Sequence, residues 1–379
     1  MITQKAQDLV DRGFDSDFGS SRIDQLFGAF GSESRFQDLI DQIHEKDRTI
    51  DMKRGEFYPE ILRCIASMKR ALANAYGIDP RQAHPSFGTN GSIDTIMMAM
   101  KLREINRGST GAQNGGMLVA TPTYFRNYNS CASKQMKMIA IPLRVDDWQI
   151  DVLHLLDALT IEKPTVVFLV TPNNPTGLAI PDENIIQILD AIPDDVLAVI
   201  DRTLVNITPE MGTAELLNRF KHKRVAVLHS LSKYAGMSHL RVGYALYSQL
   251  TVAEEVRPLL PLGLGVEGAV KATRLLVAHG PLQPQQRVIE NIRASKQILG
   301  DFCSRHNAFL CTDFVANYCL LCLPPRLLAS YVVSKLIEQG IYVMGGNELP
   351  EPRADLLRIH TGGRPQYMER LVAAMEELM

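Results

Sequence analysis

Short apolar segments alternate with helical patterns through the middle of the chain, and this alternation leaves few folds open. The apolar segments are Met117–Ala120, Met138–Ile141, Val166–Val170, Leu197–Ile200 and Val225–Leu228. Each is apolar throughout rather than at every second residue, which indicates strands covered by helices on both faces. We therefore expect an α/β fold with a mainly parallel central sheet, and functional residues in the loops that follow its strands.

A smaller α+β unit is predicted toward the C-terminus. A break around Pro258 and Pro261 precedes a long helical segment over residues 266–298. Strand candidates at 317–323, 340–344 and 356–361 follow, and then a C-terminal helix. Because 379 residues exceed what one compact core usually holds, we expect two domains. The expected divisions are an N-terminal arm over 1–50 that is part of the small domain, a large domain over 51–265, and a connecting helix with the small domain over 266–379.

The charge balance and cysteine content exclude several classes of partner. Lys and Arg number 40 against 42 Asp and Glu, so the net charge is 40 − 42 = −2 and gives no basic surface for nucleic acid or an anionic membrane. The apolar runs are far shorter than the roughly 18 residues that span a membrane. The N-terminal sequence has no signal-peptide pattern, and six sparse cysteines suit reduced thiols, so we expect a cytoplasmic location.

Two short motifs are interpreted as carrying no function. Cys319 and Cys322 form a C-x-x-C pattern inside a predicted strand, where residues three apart point to opposite faces, so neither a metal nor a redox site is expected. The segment 263–268 matches G-x-G-x-x-G, a dinucleotide fingerprint. That fingerprint needs a strand directly before it, and the preceding residues Arg257–Leu262 have a loop-like sequence.

Polar and charged side chains that could bind different parts of one ligand follow three of the predicted strands. Asn174 lies in Thr-Pro-Asn-Asn-Pro-Thr-Gly after the third apolar segment, Asp201 follows the fourth, and Lys233 lies in Ser-Leu-Ser-Lys-Tyr-Ala-Gly after the fifth, with Arg241 eight residues on. Hydroxyls and an arginine can bind a phosphate dianion, an amine near other cations can form a Schiff base with an aldehyde, and a carboxylate can partner a protonated ring nitrogen. Each piece alone also fits a solvated lysine, a helix cap or a turn.

In their order and spacing, these motifs resemble the fold-type I pyridoxal-phosphate (PLP) enzymes, specifically the histidinol-phosphate aminotransferase-like branch of the class I/II aminotransferases. The resemblance extends from about Tyr58 to the C-terminus. It implies that Lys233 is the Schiff-base lysine, that Asp201 partners the pyridinium nitrogen, and that Asn174 donates to the 3′ oxygen of the ring. It also implies three ligands for the cofactor phosphate, namely Ser230, Ser232 and Arg241.

Further segments match the same family. Gly91 and Ser92 lie in an Asn-Gly-Ser turn before a helix predicted from near Ile93, where amide groups can bind the phosphate. The resemblance implies that Tyr124 stacks on the cofactor and that Tyr58 reaches the cofactor phosphate of a neighbouring subunit, hence a homodimer with shared active sites. It also implies that Arg358 pairs with the substrate α-carboxylate. His360, two residues along the same predicted strand, is either a substrate contact or a packed histidine, and Arg364 is interpreted as a surface or supporting residue.

One departure from the family concerns the reaction. Family members usually carry Asp-x-x-Tyr, whereas this chain has Leu204 in the tyrosine position and so lacks its hydroxyl donor to the 3′ oxygen. Thr203 or Arg202 could replace that donor if the turn is shifted. The expected function is transamination between an α-amino acid and a 2-oxo acid. The alternatives are a PLP-dependent decarboxylase, cyclase, lyase or oxidase, and a non-catalytic PLP-binding regulator, although no DNA-binding segment precedes the domain.

Overall fold

The computed structural model describes residues 59–107, 115–261 and 264–378. The first part of the chain forms, in order, α1 (Pro59–Tyr76), β1 (Ala83–Phe87), α2 (Gly88–Asn106), β2 (Met117–Thr121), α3 (Phe125–Ser133), β3 (Met138–Pro142), α4 (Val152–Glu162), β4 (Val166–Val170), α5 (Asp182–Ala191), β5 (Leu197–Asp201), α6 (Thr213–Arg219), β6 (Val225–Ser230), α7 (Leu231–Tyr234), β7 (Val242–Tyr247) and α8 (Leu250–Val256). The second part forms α9 (Val266–His279), α10 (Gln286–Arg305), β8 (Leu310–Cys311), β9 (Tyr318–Cys322), α11 (Ala329–Glu338), β10 (Met344–Gly346), β11 (Arg353–His360) and α12 (Pro365–Glu376). Short 3₁₀ helices span Pro80–Gln82, Ser238–Leu240 and Arg257–Leu259.

Seven strands form the central sheet in the order β1-β7-β6-β5-β4-β2-β3. The five strands β2 to β6 run parallel to one another, and β7 is antiparallel to both of its neighbours. All five strands predicted from the apolar segments are therefore confirmed, as is the mainly parallel sheet.

Both faces of the inner strands β4, β5 and β6 are buried, as the continuous apolar runs predict. In β4, Val167 and Leu169 pack into one hydrophobic cluster, while Val166, Phe168 and Val170 pack into another on the opposite face. Side chains of α1, α5 and α9 belong to the first cluster, and side chains of α2 and α8 to the second. Burying each such apolar side chain contributes roughly 1.5–3 kcal/mol, so a strand of five consecutive apolar residues is stabilised most when helices cover both of its faces.

The edge of the sheet that holds β1 and β7 was not predicted from the sequence. β1 reads Ala-His-Pro-Ser-Phe, which has neither an apolar run nor a regular alternation. β7 follows Arg241 directly and contains Gly243, where an added Cβ would lie 2.6 Å from the carbonyl carbon of Gly88. Glycine at this position therefore lets the turn between β1 and α2 pack directly on β7.

The predicted smaller sheet is confirmed, with antiparallel strands in the order β10-β11-β9-β8. It has its own hydrophobic cluster, to which α10, α11 and α12 contribute. The strand predicted at 340–344 is shifted, since β10 is Met344–Gly346. The single helix predicted over 266–298 is instead two helices, because the chain turns at Gly280, with φ +73°, and at the prolines that follow.

Two expected absences concern cysteines and membrane helices. All six cysteines are free thiols. Cys319 packs in the cluster of the smaller sheet, while Cys322 packs against the separate cluster of Leu320, Leu349 and Leu356, so the two point to opposite faces as predicted. Among the residues described, no helix combines the length and the apolar character that crossing a bilayer requires.

Candidate active site

The carboxyl ends of β4, β5 and β6 lie side by side and bring the predicted site residues to one edge of the sheet. Val170 at the end of β4 pairs with Asp201 at the end of β5. The turn after β4 carries Asn174, and β6 leads directly into α7, which carries Lys233. Because the three strands are parallel and adjacent, the loops that follow them form one continuous surface.

Asp201 is a buried carboxyl group, with 2% of its surface exposed. Its Oδ1 accepts the backbone N–H of Thr203 at 2.9 Å and the Thr203 hydroxyl at 2.5 Å. Burial raises the pKa of Asp201 to about 6, and the two hydrogen bonds from Thr203 act in the opposite direction. A cationic partner, such as a protonated ring nitrogen, would strongly favour the charged form of a carboxyl group in this position.

Lys233 lies on the short helix α7, which is capped by Ser230. The Ser230 hydroxyl oxygen accepts the backbone N–H of Ser232 at 3.1 Å. The Lys233 side chain is half-buried, and its Nζ lies 5.7 Å from the centre of the Tyr318 ring. An amine that is held against an aromatic ring but still accessible can react with an aldehyde.

Arg241 packs against the start of α2. A Cβ added to Gly88 would lie 2.9 Å from Arg241 Nη2, so the guanidinium group occupies space that any other residue at position 88 would fill. Arg241 Nη1 donates to the carbonyl oxygen of Ser238 at 3.2 Å. The first amides of a helix have no acceptor within it, and together with an arginine they can bind a phosphate dianion.

Gly91 and Ser92 are placed in the first turns of α2, which begins at Gly88 rather than near Ile93. The amides without an intrahelical partner are therefore those that begin at Gly88, a turn earlier than the sequence predicts. The Ser92 hydroxyl is buried and lies 2.6 Å from the hydroxyl of Ser86, which itself donates to the carbonyl oxygen of Gly88. Ser92 thus stabilises the turn from within.

Tyr124 is the N-cap residue of α3 and faces the same edge of the sheet. Its hydroxyl donates to Asn90 Oδ1 at 3.0 Å. Desolvation raises the pKa of Tyr124, and the charge of Asp201 acts in the same direction, while that of Arg241 acts against it. The three side chains are therefore close enough to interact electrostatically.

Arg358 projects from β11 of the smaller sheet toward the turn after β4. Its Nη1 donates to Asn174 Oδ1 at 3.2 Å, and its guanidinium carbon lies 4.6 Å from the centre of the Tyr318 ring. His360 meets the same ring edge-on at 5.3 Å, so Arg358 and His360 share a face of the strand as predicted. Arg364 is the N-cap residue of α12.

The turn after Asp201 supplies no replacement for the tyrosine hydroxyl missing at position 204. Leu204 is buried. Arg202 is also buried, and its Nη1 donates to the carbonyl oxygen of Met211 at 2.7 Å and lies 3.3 Å from the Thr213 hydroxyl. The Thr203 hydroxyl contacts Asp201.

Sequence reasoning missed Tyr318 and Thr89, and Tyr58 lies outside the described residues. Tyr318 contacts Lys233, Arg358 and His360, but it stands in an apolar strand whose C-x-x-C pattern gives no indication of a role for the tyrosine. The Thr89 hydroxyl lies 2.8 Å from that of Thr203. Its position beside the Asn-Gly-Ser turn was the only available signal.

The groups gathered here fit PLP. The corner between Gly88 and Arg241 suits a phosphate dianion, the buried carboxyl of Asp201 suits a ring nitrogen, and the accessible amine of Lys233 suits an aldehyde. These groups approach from separate elements of one sheet edge. No cluster of three or more metal-ligating side chains occurs in the described residues.

Comparison with known proteins identifies the family. The family model for aminotransferase class I and II matches residues 31–375. The chain is 26% identical over 306 residues to a histidinol-phosphate aminotransferase from Vibrio vulnificus (strain CMCP6), covering 80% of this chain and 82% of that protein.

Solved structures show the same fold. An L-threonine-O-3-phosphate decarboxylase from Porphyromonas gingivalis superposes with a TM-score of 0.69 at 17% identity, covering 90% of this chain and 95% of that one. A histidinol-phosphate aminotransferase from Sinorhizobium meliloti, in complex with pyridoxal-5′-phosphate, superposes with a TM-score of 0.65 at 22% identity, covering 85% and 88%. With the fold of the type I PLP enzymes and a family match over nearly its whole length, this chain belongs to the class I and II aminotransferases, a family of PLP-dependent enzymes.

Proposed function

We propose that this enzyme transfers the amino group of an α-amino acid to a 2-oxo acid by a ping-pong reaction at the site described above. The observation that carries the proposal is the hydrogen bond from Arg358 to Asn174. It places a cation suited to an α-carboxylate one hydrogen bond away from the residue proposed to contact the cofactor ring. An amino acid held by Arg358 would then have its amine near Lys233.

The proposed cofactor contacts follow the resemblance. Lys233 binds the cofactor aldehyde, Asp201 the ring nitrogen, and Asn174 the 3′ oxygen, for which its Nδ2 donor remains available because Oδ1 accepts from Arg358. The remaining contacts are proposed for the phosphate and the ring face, namely Gly91, Ser92, Ser230, Ser232 and Arg241 for the phosphate, with Tyr58 from a second subunit, and Tyr124 for the face.

PLP, when bound, supplies an electron sink that stabilises negative charge at the substrate Cα. Asp201 is proposed to hold the proton on the ring nitrogen, which that sink requires. Arg358 is proposed to orient the substrate carboxylate, and the ring of Tyr318 packs against the Arg358 guanidinium. Lys233 Nζ is proposed as the base that removes the proton from the substrate Cα and delivers it to C4′, the carbon of the cofactor aldehyde.

The test combines a variant with a spectrum. Lys233→Ala should purify without the visible absorbance of lysine-bound PLP and should lose turnover. The control Lys271→Ala removes a partly exposed lysine that pairs with Glu267 on α9, and it should keep both the absorbance and the turnover. With an amino donor and no acceptor, the wild-type enzyme should release one keto acid per site and retain the amino group on the cofactor. Full activity of Lys233→Ala would refute the assignment.

A second candidate is decarboxylation or another PLP reaction of a specialised pathway. Two observations favour it: Leu204 lacks a hydroxyl donor, and two superposing structures are named as decarboxylases. Incubation with single amino acids separates the two candidates, because decarboxylation releases carbon dioxide and an amine without consuming the cofactor aldehyde. Transamination instead gives a keto acid in a stoichiometric half-reaction.

We also propose a homodimer, divided as the sequence analysis predicts into an arm, a large domain and a small domain, and located in the cytoplasm. Support for the dimer comes from apolar side chains exposed along one side of α2, where Met98, Leu102 and Ile105 are 40%, 40% and 50% exposed. Their spacing of four and three residues forms a continuous stripe, which a second subunit could cover. Light scattering of the wild type and of Leu102→Glu should give a dimer and a monomer, respectively.

A further inference from the structure

Asp201 is held on one side by a single residue. Both hydrogen bonds to Oδ1 come from Thr203, the backbone N–H at 2.9 Å and the hydroxyl at 2.5 Å. Two donors on one oxygen fix the plane of the carboxyl group. In the described part of the chain no donor contacts Oδ2, so that oxygen is the one available to a ligand.

The Thr203 hydroxyl has a second partner. Its oxygen lies 2.8 Å from the hydroxyl oxygen of Thr89 in the first turn of α2. A hydroxyl carries one proton, and an ionised carboxylate can only accept. The geometry allows the Thr203 hydroxyl to donate either to Asp201 or to Thr89. An ionised Asp201 takes that single proton, and the 2.8 Å approach of the two hydroxyl oxygens is then favourable only with Thr89 as the donor to Thr203. The result is a directed relay from Thr89 through Thr203 to Asp201.

We infer that Thr203, supported by Thr89, is a positioning residue that orients Asp201 and keeps it ionised for the ring nitrogen of the cofactor. The inference rests on the proposed function, in which Asp201 partners that nitrogen. Thr89 adjoins Gly88, against which Arg241 packs, so the relay connects the proposed phosphate corner to the ring-nitrogen carboxylate. The turn that lacks a tyrosine at position 204 thus directs a different hydroxyl, that of Thr203, to Asp201.

The groups around Asp201 determine how much its ionised form depends on the two hydrogen bonds from Thr203. Burial raises the pKa of Asp201, and the hydroxyl and N–H of Thr203 oppose that rise. Tyr124 at the start of α3 and Tyr234 on α7 also face this region, and burial raises the pKa of both, so both are uncharged at neutral pH. The cations on the neighbouring elements are Lys233 on α7 and Arg241 before β7. Removing the Thr203 hydroxyl should therefore shift Asp201 toward its protonated form.

The experiment measures PLP binding to apoenzyme rather than turnover. Thr203→Val removes the hydroxyl with little change of shape, and Thr203→Ser keeps it. A hydrogen bond to a charged group contributes about 1.5–3 kcal/mol, so Thr203→Val should weaken PLP binding roughly 10-fold or more. Across about pH 5 to pH 9, the acidic midpoint of binding should move up by about one unit, since each unit corresponds to about 1.4 kcal/mol. Thr203→Ser should keep both the PLP affinity and the acidic midpoint at their wild-type values.

Two further variants keep the test decisive. Thr89→Val should shift the midpoint in the same direction but less, because it removes only the outer bond of the relay, and it serves if Thr203→Val fails to fold. In an Asp201→Asn background, Thr203→Val should cause no further shift of the midpoint. Wild-type affinity and midpoint in both valine variants would overturn the relay alone, whereas a wild-type chain that binds no PLP would overturn the proposed function and the relay together.

Discussion

Arg358 on β11 and Asn174 in the turn after β4 are joined by a hydrogen bond of 3.2 Å from Nη1 to Oδ1. The bond connects the smaller sheet to the central one at the proposed reaction centre. It also orients both groups, because Asn174 Oδ1 accepts from Arg358 and the Arg358 guanidinium is fixed through Nη1. The position of the smaller sheet is therefore coupled to the residue proposed to bind the cofactor ring.

Replacing Arg358 with lysine should separate carboxylate binding from cofactor binding. Lysine keeps the charge but cannot form a two-pronged contact with a carboxylate. We expect KM for the amino acid to rise roughly 10- to 100-fold, as for loss of a charged hydrogen bond, with PLP affinity little changed. The matched control is Arg364→Lys at the start of α12, which should leave both constants at wild-type values. Unchanged KM in Arg358→Lys would argue against a carboxylate role.

The aromatic ring of Tyr318 should contribute to catalysis by attracting the two cations that lie near it. It lies 4.6 Å from the Arg358 guanidinium carbon and 5.7 Å from Lys233 Nζ, distances at which an aromatic ring attracts cations. Tyr318→Leu should lower kcat/KM about 5- to 30-fold, corresponding to about 1–2 kcal/mol of lost cation–π stabilisation. Tyr318→Phe keeps the ring and should retain the contacts with both cations. Equal losses in the two variants would instead assign the effect to the hydroxyl.

A second bridge between the two sheets lies beside the site. The Tyr128 hydroxyl on α3 donates to Glu351 at 2.8 Å, just before β11, and the Arg353 guanidinium lies 5.6 Å from the Trp148 ring. Tyr128→Phe removes only the hydroxyl. We expect the free energy of unfolding to fall by about 1 kcal/mol and KM to rise a few-fold, because the bridge helps to hold the smaller sheet, and with it Arg358, against the central sheet.

Urea unfolding and steady-state kinetics check this expectation. Tyr331→Phe on α11, where the side chain is 48% exposed, serves as the control and should change neither value. If Tyr128→Phe changed stability without changing KM, the bridge would be structural only and would have no part in substrate binding.

The sequence predicts the parallel part of this fold because its inner strands β4, β5 and β6 are buried on both faces and are therefore apolar along most of their length. It does not predict β1, because this strand is largely buried but carries His84, Pro85 and Ser86, and so it leaves no apolar run in the sequence. The motif residues Asn174, Asp201 and Lys233 are recognisable because their chemistry follows three adjacent strand ends. They come together as the strand order requires.

The contacts that adjust this site were not predictable in the same way. The relay depends on a 2.8 Å approach between hydroxyls that are 114 residues apart in sequence. Tyr318 reaches Lys233 only because β9 of the smaller sheet packs over the turn at Gly177, where an added Cβ would lie 1.8 Å from the Tyr318 carbonyl oxygen. Neither packing relationship leaves a pattern in the local sequence.

Behind the site, a buried histidine should make stability depend on pH. His229 lies on β6, where its Nε2 is 2.9 Å from the Thr213 hydroxyl, and its ring packs 5.4 Å from that of Tyr244. Burial lowers the pKa of His229 to about 3, and the positive charge of Arg202 acts in the same direction. Folded protein therefore holds this histidine neutral at pH values where the unfolded chain, with a pKa of about 6.5, takes up a proton.

The sign of the pH dependence follows from that difference in proton binding. As pH falls below about 6.5, the unfolded state gains a proton that the folded state does not, so stability decreases until about pH 3. Between about pH 7 and pH 5, His229 alone should cost about 2 kcal/mol. His229→Gln, which can still bond to Thr213, should lose about 2 kcal/mol less than the wild type over that interval. Urea unfolding at each pH measures the free energy of unfolding. The control His222→Gln replaces an exposed histidine after α6 and should keep the wild-type dependence of stability on pH. A wild-type slope in His229→Gln would mean that the ring is not held neutral by burial.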